Sequence, residues 1–535
     1  MKNRLHQKSA ARKRQRCLER NTAARNRHRR LRNKLEARKR SVLRRLDKTK
    51  LPDFSRPIFR GCGNVHFELN NRVNGTAFGG IPLLHKLAQD IGLIDAIDRR
   101  LHVLKIHLPY YDSDHVLNFA INPLCNGTCI EDMELRRNDP AFLDALGAQR
   151  TPDPTTAGDY CRRFSAEQVN RLQDIFDDTR VKLWQQQPED FRQQARLDAD
   201  GSLVGTYGEC KKGMDIGYEG TWGYHALIIS LANTREVMRI VNRSGNRPSH
   251  EGAADALDRA IATCFRGGFH SVLLRGDTDF SQTEHLDRWN ADPRIRFVFG
   301  YDCLPNLRTL AELLSADSWT KLDRPPRYTV ETEPRQKPDQ VKQKIVVERG
   351  YDVLRLKHED VNEFNYQPTA CKKAYRMIVV RKNISKEAGG VWLLDLYRYF
   401  FYITNDWDST PEEIVFLAND RCHQENLIEQ LKNGPRALKA PLDTLESNWA
   451  YMVMTGLAWN LKAWAALRLP ETGRWSEKFR VEKSWLLGME FKAFLNVVVN
   501  IPCQMVRQAR RVVFRVLNYH PNLATFFRLA ETLCC

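Results

Sequence analysis

Residues 224–243 read Tyr-His-Ala-Leu-Ile-Ile-Ser-Leu-Ala-Asn-Thr-Arg-Glu-Val-Met-Arg-Ile-Val-Asn-Arg. The run 224–232 is strongly β-like, Thr-Arg-Glu makes a turn, and 237–243 reads as the hairpin partner. An amphipathic helix is predicted next, from about Ser249 to Cys264, followed by Gly267 and Gly268. A strand at 271–277, a helix over about Ser281–Trp289 and a strand at Ile295–Gly300 follow. Upstream, Ala195–Asp200 reads as a strand ending in acids. A hairpin followed by alternating helix and strand predicts a mixed sheet flanked by helices, and so an α/β fold.

Outward from this core the pattern changes. From about Ile81 to Phe164, apolar residues recur three and four apart (Leu84, Leu87, Ile91, Leu93, Ile97), which predicts helices. The stretch 149–156 is a turn-rich connector whose Thr155 and Thr156 could cap the next helix. From Leu304 to about Asp395 a Pro- and Lys-rich stretch at 325–342 precedes β-like segments at 344–347, 375–380 and 399–404. This reads as a β-rich insertion, with the last segment a candidate to rejoin the main sheet. Thr410, Pro411 and Glu413 have the spacing of a capped helix start, and Gly434–Pro435 stops that long helix. The remainder reads as mostly helical, including the basic, amphipathic 506–517. The resulting boundaries are 1–56 (basic disordered tail), 57–190 (helical, and DNA-binding by the resemblance given below), 191–302 (core, first part), 303–395 (insertion), 396–470 (core, second part) and 471–535 (C-terminal helical region).

The charge is unevenly placed. The chain of 535 residues carries 84 Lys or Arg and 65 acids, a net +19. Residues 1–50 hold 21 of the basic residues against Glu19, Glu36 and Asp47, leaving 63 basic and 62 acidic residues elsewhere. Such a tail attracts a polyanion and releases its counterions; a solvated tail without a dedicated partner would do the same non-specifically. Hydrophobic residues at 42% exclude wholesale disorder. No signal peptide is visible, and no apolar run has the length of a membrane span. The nearest, Tyr451–Leu469, contains Asn460, Lys462 and Arg468 and reads as a core helix. The 13 cysteines lack paired CxxC spacing, so Cys125 and Cys129 read as reduced thiols of a cytoplasmic protein rather than zinc ligands.

Three acidic positions stand out by context. Asp-Ala-Asp at 198–200 ends one predicted strand, and Asp-Thr-Asp at 277–279 ends another. A polar residue at the carboxyl end of a buried strand is where a sheet protein places a site, although any strand end can meet a polar loop. The third lies in Arg-Cys-His-Gln-Glu-Asn-Leu-Ile-Glu-Gln-Leu-Lys (421–432). On one helix, Glu425 lies about 40° and Lys432 about 20° around the axis from Arg421, with Glu429 beside them. An exposed face with an i,i+4 ion pair would look the same, and Asn426, Leu427, Ile428 and Leu431 form an alternative buried stripe.

Together the motifs resemble the ribonuclease-H-like core of the DDE-type insertion-sequence transposases. Arg421, Glu425 and Lys432 match, without a gap, the Tyr-Arg-Glu-Lys signature of the insertion-sequence-four-like superfamily. Arg-Gly-Asp-Thr-Asp-Phe (275–280) resembles the second-Asp motif of one branch, transposase DDE domain group 1. Leu-Asp-Ala-Asp-Gly-Ser (197–202) resembles the first-Asp motif, and 501–511 resembles the closing segment of that branch. The likeness runs from about Ile81 to Leu517. Ala418 stands where the signature has Tyr, Asp279 replaces a Gly, and Gly201 departs from the first motif.

The resemblance implies a transposase of an insertion sequence, acting in the bacterial cytoplasm at the nucleoid. It implies catalysis by Asp200, Asp277 and Glu425 holding two Mg²⁺ or Mn²⁺ ions, with Asp198 and Asp279 as further candidates. Two such ions ~3.5–4 Å apart can serve both the attacking and the leaving oxygen. Hydrolysis at the element end would free a 3′-hydroxyl that attacks a second phosphodiester. Arg421 and Lys432 would hold DNA phosphates. The partners implied are double-stranded DNA, as terminal inverted repeats and target, and a second copy in the synaptic complex; no membrane is implied. The alternatives are a related nuclease without strand transfer, or a catalytically inactive DNA-binding derivative.

Overall fold

The hairpin at 224–243 forms, and it lies near one end of a ten-stranded mixed sheet. The strands are β1 (Gln194–Gly205), β2 (Asp215–Ile216), β3 (Trp222–Leu231), β4 (Glu236–Val241), β5 (Ser271–Gly276), β6 (Ile295–Tyr301), β7 (Thr320–Lys321), β8 (Asp352–Tyr366), β9 (Tyr375–Ala388) and β10 (Val391–Thr404). Their order is β2-β3-β1-β5-β6-β10-β9-β8-β7, with β4 also paired to β3. β3 runs antiparallel to both β4 and β1, whereas β1, β5 and β6 run parallel. β3 is buried along nearly its whole length. That is what a strand covered on both faces requires, and it explains an unbroken apolar run where a half-exposed strand would alternate. Each large aliphatic side chain buried there contributes about 1.5–3 kcal/mol.

The computed structural model describes residues 2–47, 65, 67, 73–208, 210–324, 345, 348–349, 352–388, 391–471, 475–508 and 511–534. They fall into two units: Leu87–Asn138 with Arg150–Lys492, which holds the sheet, and Met1–Lys86 with Asp139–Gln149 and Ala493–Cys535. In the larger unit the helix Ala253–Arg266 packs on β1, β3 and β5. The helix Pro411–Asn419 places Ile414 and Val415 on Leu273, Val298, Val361 and Ile378. The helix Leu445–Leu467 is buried all round, as expected for a helix that is apolar on every face. Trp464 and Trp184 both donate to the buried carboxylate of Glu236. Among the described residues no helix is long and apolar enough to cross a membrane.

The structure corrects several expectations. Lys2–Arg45, within the segment expected to be a disordered tail, is one helix. Ala, Arg, Lys, Leu and Glu are strong helix formers, so high charge did not preclude helix. In the smaller unit Arg38 of this helix donates to the Leu517 carbonyl at 3.0 Å, and His28 meets Glu531 at 3.1 Å. The expected insertion at 303–395 extends the main sheet: β10 pairs with β6, and β9 and β8 continue outward. The 395/396 boundary therefore falls inside β10. The stretch 325–342 lies outside the described residues, as does most of 344–347. Among its described residues the basic segment 506–517 forms no helix; Cys503–Gln508 and Arg511–Val516 pair as antiparallel strands. Val506, Val512, Val513, Phe514 and Val516 favour strand. Asp153 rather than Thr155 or Thr156 caps Pro154–Arg162, accepting from the Thr156 N–H at 2.9 Å.

Candidate active site

β1 does not end at its acids. It continues through Gly201 to Gly205, paired throughout with β3. Its other neighbour ends first: β5 stops at Gly276. The parallel register sets Asp198 against Arg275. The pairing ends there, with Asp200 two residues further along β1 and Asp277 two residues past Arg275, just beyond the end of β5. Asp200 thus lies in mid-strand, at the point where the sheet opens because β5 has finished. Asp277 caps the short 3-10 turn Thr278–Phe280, accepting from the Asp279 N–H at 3.1 Å.

The predicted long helix is two helices, Pro411–Asn419 and Cys422–Asn433, broken at Asp420–Arg421. The first begins with the expected capping box of Thr410 and Glu413 behind Pro411. The second lies on β1, held there by Gln424. This buried amide donates to the Asp198 and Ile228 carbonyls, each at 3.0 Å. Gln424, Leu427, Ile428 and Leu431 form its buried stripe, while Glu425, Asn426 and Glu429 face outward. Asn426 is therefore not part of the stripe, as the sequence had suggested. Arg421, at the break, reaches Oδ2 of Asp200 at 3.2 Å. Ala418, where the signature carries Tyr, packs against the cluster around Leu273 and Val298.

Electrostatics ties these residues together. Burial raises the Asp200 carboxyl to about 6, Arg421 opposes the rise, and the charges of Asp277 and Glu425 add to it. Burial also raises Asp277, again against Arg421 and with a contribution from Asp279. Burial lowers the half-buried Lys432, as does Lys439, while Glu219 and Asp200 oppose the fall. Asp279 itself is exposed. Asp198 is in a different position: it is almost fully buried, and both its oxygens are taken by Arg275, at 2.6 and 2.9 Å.

Sequence reasoning missed Arg275, Gln424 and Asp420 as parts of this site. The signals existed. Arg275 interrupts the apolar run Val272–Leu274, and Gln424 sits on the stripe of Leu427, Ile428 and Leu431. The tryptophans nearest the motif helix, Trp449, Trp459 and Trp464, are buried in the core.

Among the described residues, no group of three or more His, Cys, Asp or Glu is placed to hold a metal ion. The donor set nonetheless suits a hard divalent cation. It offers carboxylate oxygens, and Mg²⁺ needs few protein ligands because it keeps several waters.

A family model described as transposase DDE domain group 1 matches residues 72–534. None of the curated proteins matches the sequence. Among solved structures, the chain is similar to a cryo-EM structure of the piggyBac transposase synaptic complex with hairpin DNA. The two are 11% identical, with a TM-score of 0.34, over 78% of this chain and 88% of that one.

Proposed function

Because the chain belongs to the transposase DDE domain group 1 family, we propose that it is a metal-dependent DNA transposase of an insertion sequence, cutting at element ends and joining the freed 3′-hydroxyl ends to target DNA. The observation that carries this reading is the pairing of Arg421 with Asp200 beside the strand end that leads to Asp277. The charges of Asp277 and Glu425 also bear on Asp200. The strand order β4-β3-β1-β5-β6, antiparallel and then parallel, supports a ribonuclease-H-like core.

In this reading Asp200, Asp277 and Glu425 hold divalent ions, Mg²⁺ or Mn²⁺. Such ions, when bound, supply water activation and stabilise the leaving oxygen. Arg421 and Lys432 bind phosphates of the DNA strand and orient the scissile bond towards the acids. Asp198 is committed to its paired hydrogen bonds with Arg275, and Asp279 is a neighbour that adds negative charge at Asp277. The helical region before β1 reads the element ends, and two copies synapse a pair of ends.

The test is incubation of the purified chain with labelled duplexes carrying the ends of its own element, with and without MgCl₂. Cation-dependent nicking and joined products are expected, and both should vanish in Asp200→Asn, Asp277→Asn and Glu425→Gln. Nicking without joined products would leave a nuclease; DNA binding without nicking would leave an inactive derivative.

A further inference from the structure

Arg275 is fully buried on a strand of apolar neighbours, and its guanidinium is shared between two elements. Nε and Nη2 grip the two oxygens of Asp198 on β1. Nη1 donates to the Leu417 carbonyl and to Oδ2 of Asp420, both at 3.0 Å. Leu417 lies in the last turn of Pro411–Asn419, where carbonyls lack helical partners and a cation is favoured. Asp420 is the residue before Arg421. One side chain therefore joins the central strand to the break between the two helices.

A buried ion pair is on average no more stabilising than apolar packing of the same volume, so stability alone does not account for an arginine here. Geometry does. The planar fork sets direction as well as distance. From the anchored break the next residue, Arg421, reaches Asp200, and Gln424 pins the following turn to β1 and β3. Glu425 is carried on that same turn.

We propose that Arg275 is a positioning residue, which through Asp198 and Asp420 holds Arg421 and Glu425 over Asp200 and Asp277, and that Asp198 is its counter-ion. The inference rests on the metal-dependent reading above. It assigns Arg275 no contact with DNA or metal.

The test uses the full chain loaded with Fe²⁺ in place of Mg²⁺, with ascorbate and peroxide, so that radicals cut the polypeptide beside the bound ion. Wild type should be cut near Asp200, Asp277 and Glu425. Arg275→Lys keeps the charge and loses the fork. Asp420→Asn weakens the arm to the helix break, together with the longer contacts of Asp420 to Arg196 and His423, and leaves the buried pair intact, so it serves if Arg275→Lys does not fold. In either variant the cut near Glu425 should fade while those near Asp200 and Asp277 remain. kcat for DNA nicking should fall by up to about 100-fold, as for a misplacement of about 1 Å, with Kd for the DNA end little changed. A wild-type cutting pattern in the folded variants, with kcat unchanged, overturns the positioning role. Absence of all cuts in wild type sinks the metal reading, and this inference with it.

Discussion

Nη1 of Arg421 lies 3.2 Å from Oδ2 of Asp200, although 221 residues separate them in the chain. The contact sets a cation against an acid that burial would otherwise drive towards its neutral form. A divalent ion at the site would compete with that guanidinium for the same carboxylate.

Removing the cation should therefore favour the proton. In Arg421→Ala, the acid limb of the nicking pH profile is expected to move to higher pH, because the first influence opposing burial at Asp200 is gone. Arg421→Lys should restore most of the wild-type profile. An unmoved acid limb in Arg421→Ala would show that Asp200 does not govern it.

The raised Asp200 carboxyl also has a stability sign. Its folded value, about 6, lies above the usual 3.8. The fold therefore favours the protonated form, and this contribution is present at low pH and lost as pH rises from about 4 through 6. Divalent ions compete with the proton, so MnCl₂ should raise Tm more at pH 7.5 than at pH 5. Asp200→Asn should flatten both trends in a thermal-shift series. Equal shifts at the two pH values would count against Asp200 as a ligand.

Gln424 tests whether the second helix is held by its amide. Gln424→Leu fills a similar volume but removes both donations to β1 and β3. A loss of about 1–3 kcal/mol is expected in urea unfolding, with a fall in nicking out of proportion to it. Glu425→Gln, on the exposed side of the same turn, should leave stability within about 0.5 kcal/mol of wild type while abolishing nicking.

Trp464 tests the assignment of the helix Leu445–Leu467 to the core. The ring is fully buried, and its Nε1 donates to Glu236 at 2.8 Å. Trp464→Ala should cost about 3–5 kcal/mol, read in a denaturant melt. Trp464→Phe should bind a DNA end as wild type does, since no base reaches the ring. A large loss of end binding in a folded Trp464→Phe would contradict the core assignment.

Much of the sheet was legible because each signal was local. The apolar run at 224–232, its turn and partner, the helix that ends before Gly267–Gly268, and the capping box at Thr410 all depend on neighbours a few residues away. The misreadings were also local in origin. Propensity could not tell that β1 would continue past Asp200, because that depends on pairing with β3. Nor could periodicity locate the break at Asp420–Arg421, where Arg275 draws in both Leu417 and Asp420. The segments 375–380 and 399–404 were recognised as strands, the strand Asp352–Tyr366 was not, and whether they formed a separate layer or widened the existing sheet turned on the pairing of β10 with β6.

Composition and spacing by themselves determined an α/β chain with three candidate acids, a capped motif helix and a concentration of positive charge at the N-terminus. They could do so because side-chain periodicity and turn chemistry act over a few residues. Only the tertiary structure gave Asp198 and Asp200 different surroundings. Both acids lie two apart on the same strand and look alike in sequence. One is engaged at both oxygens by a buried arginine from the next strand, and the other stands where that strand has already ended.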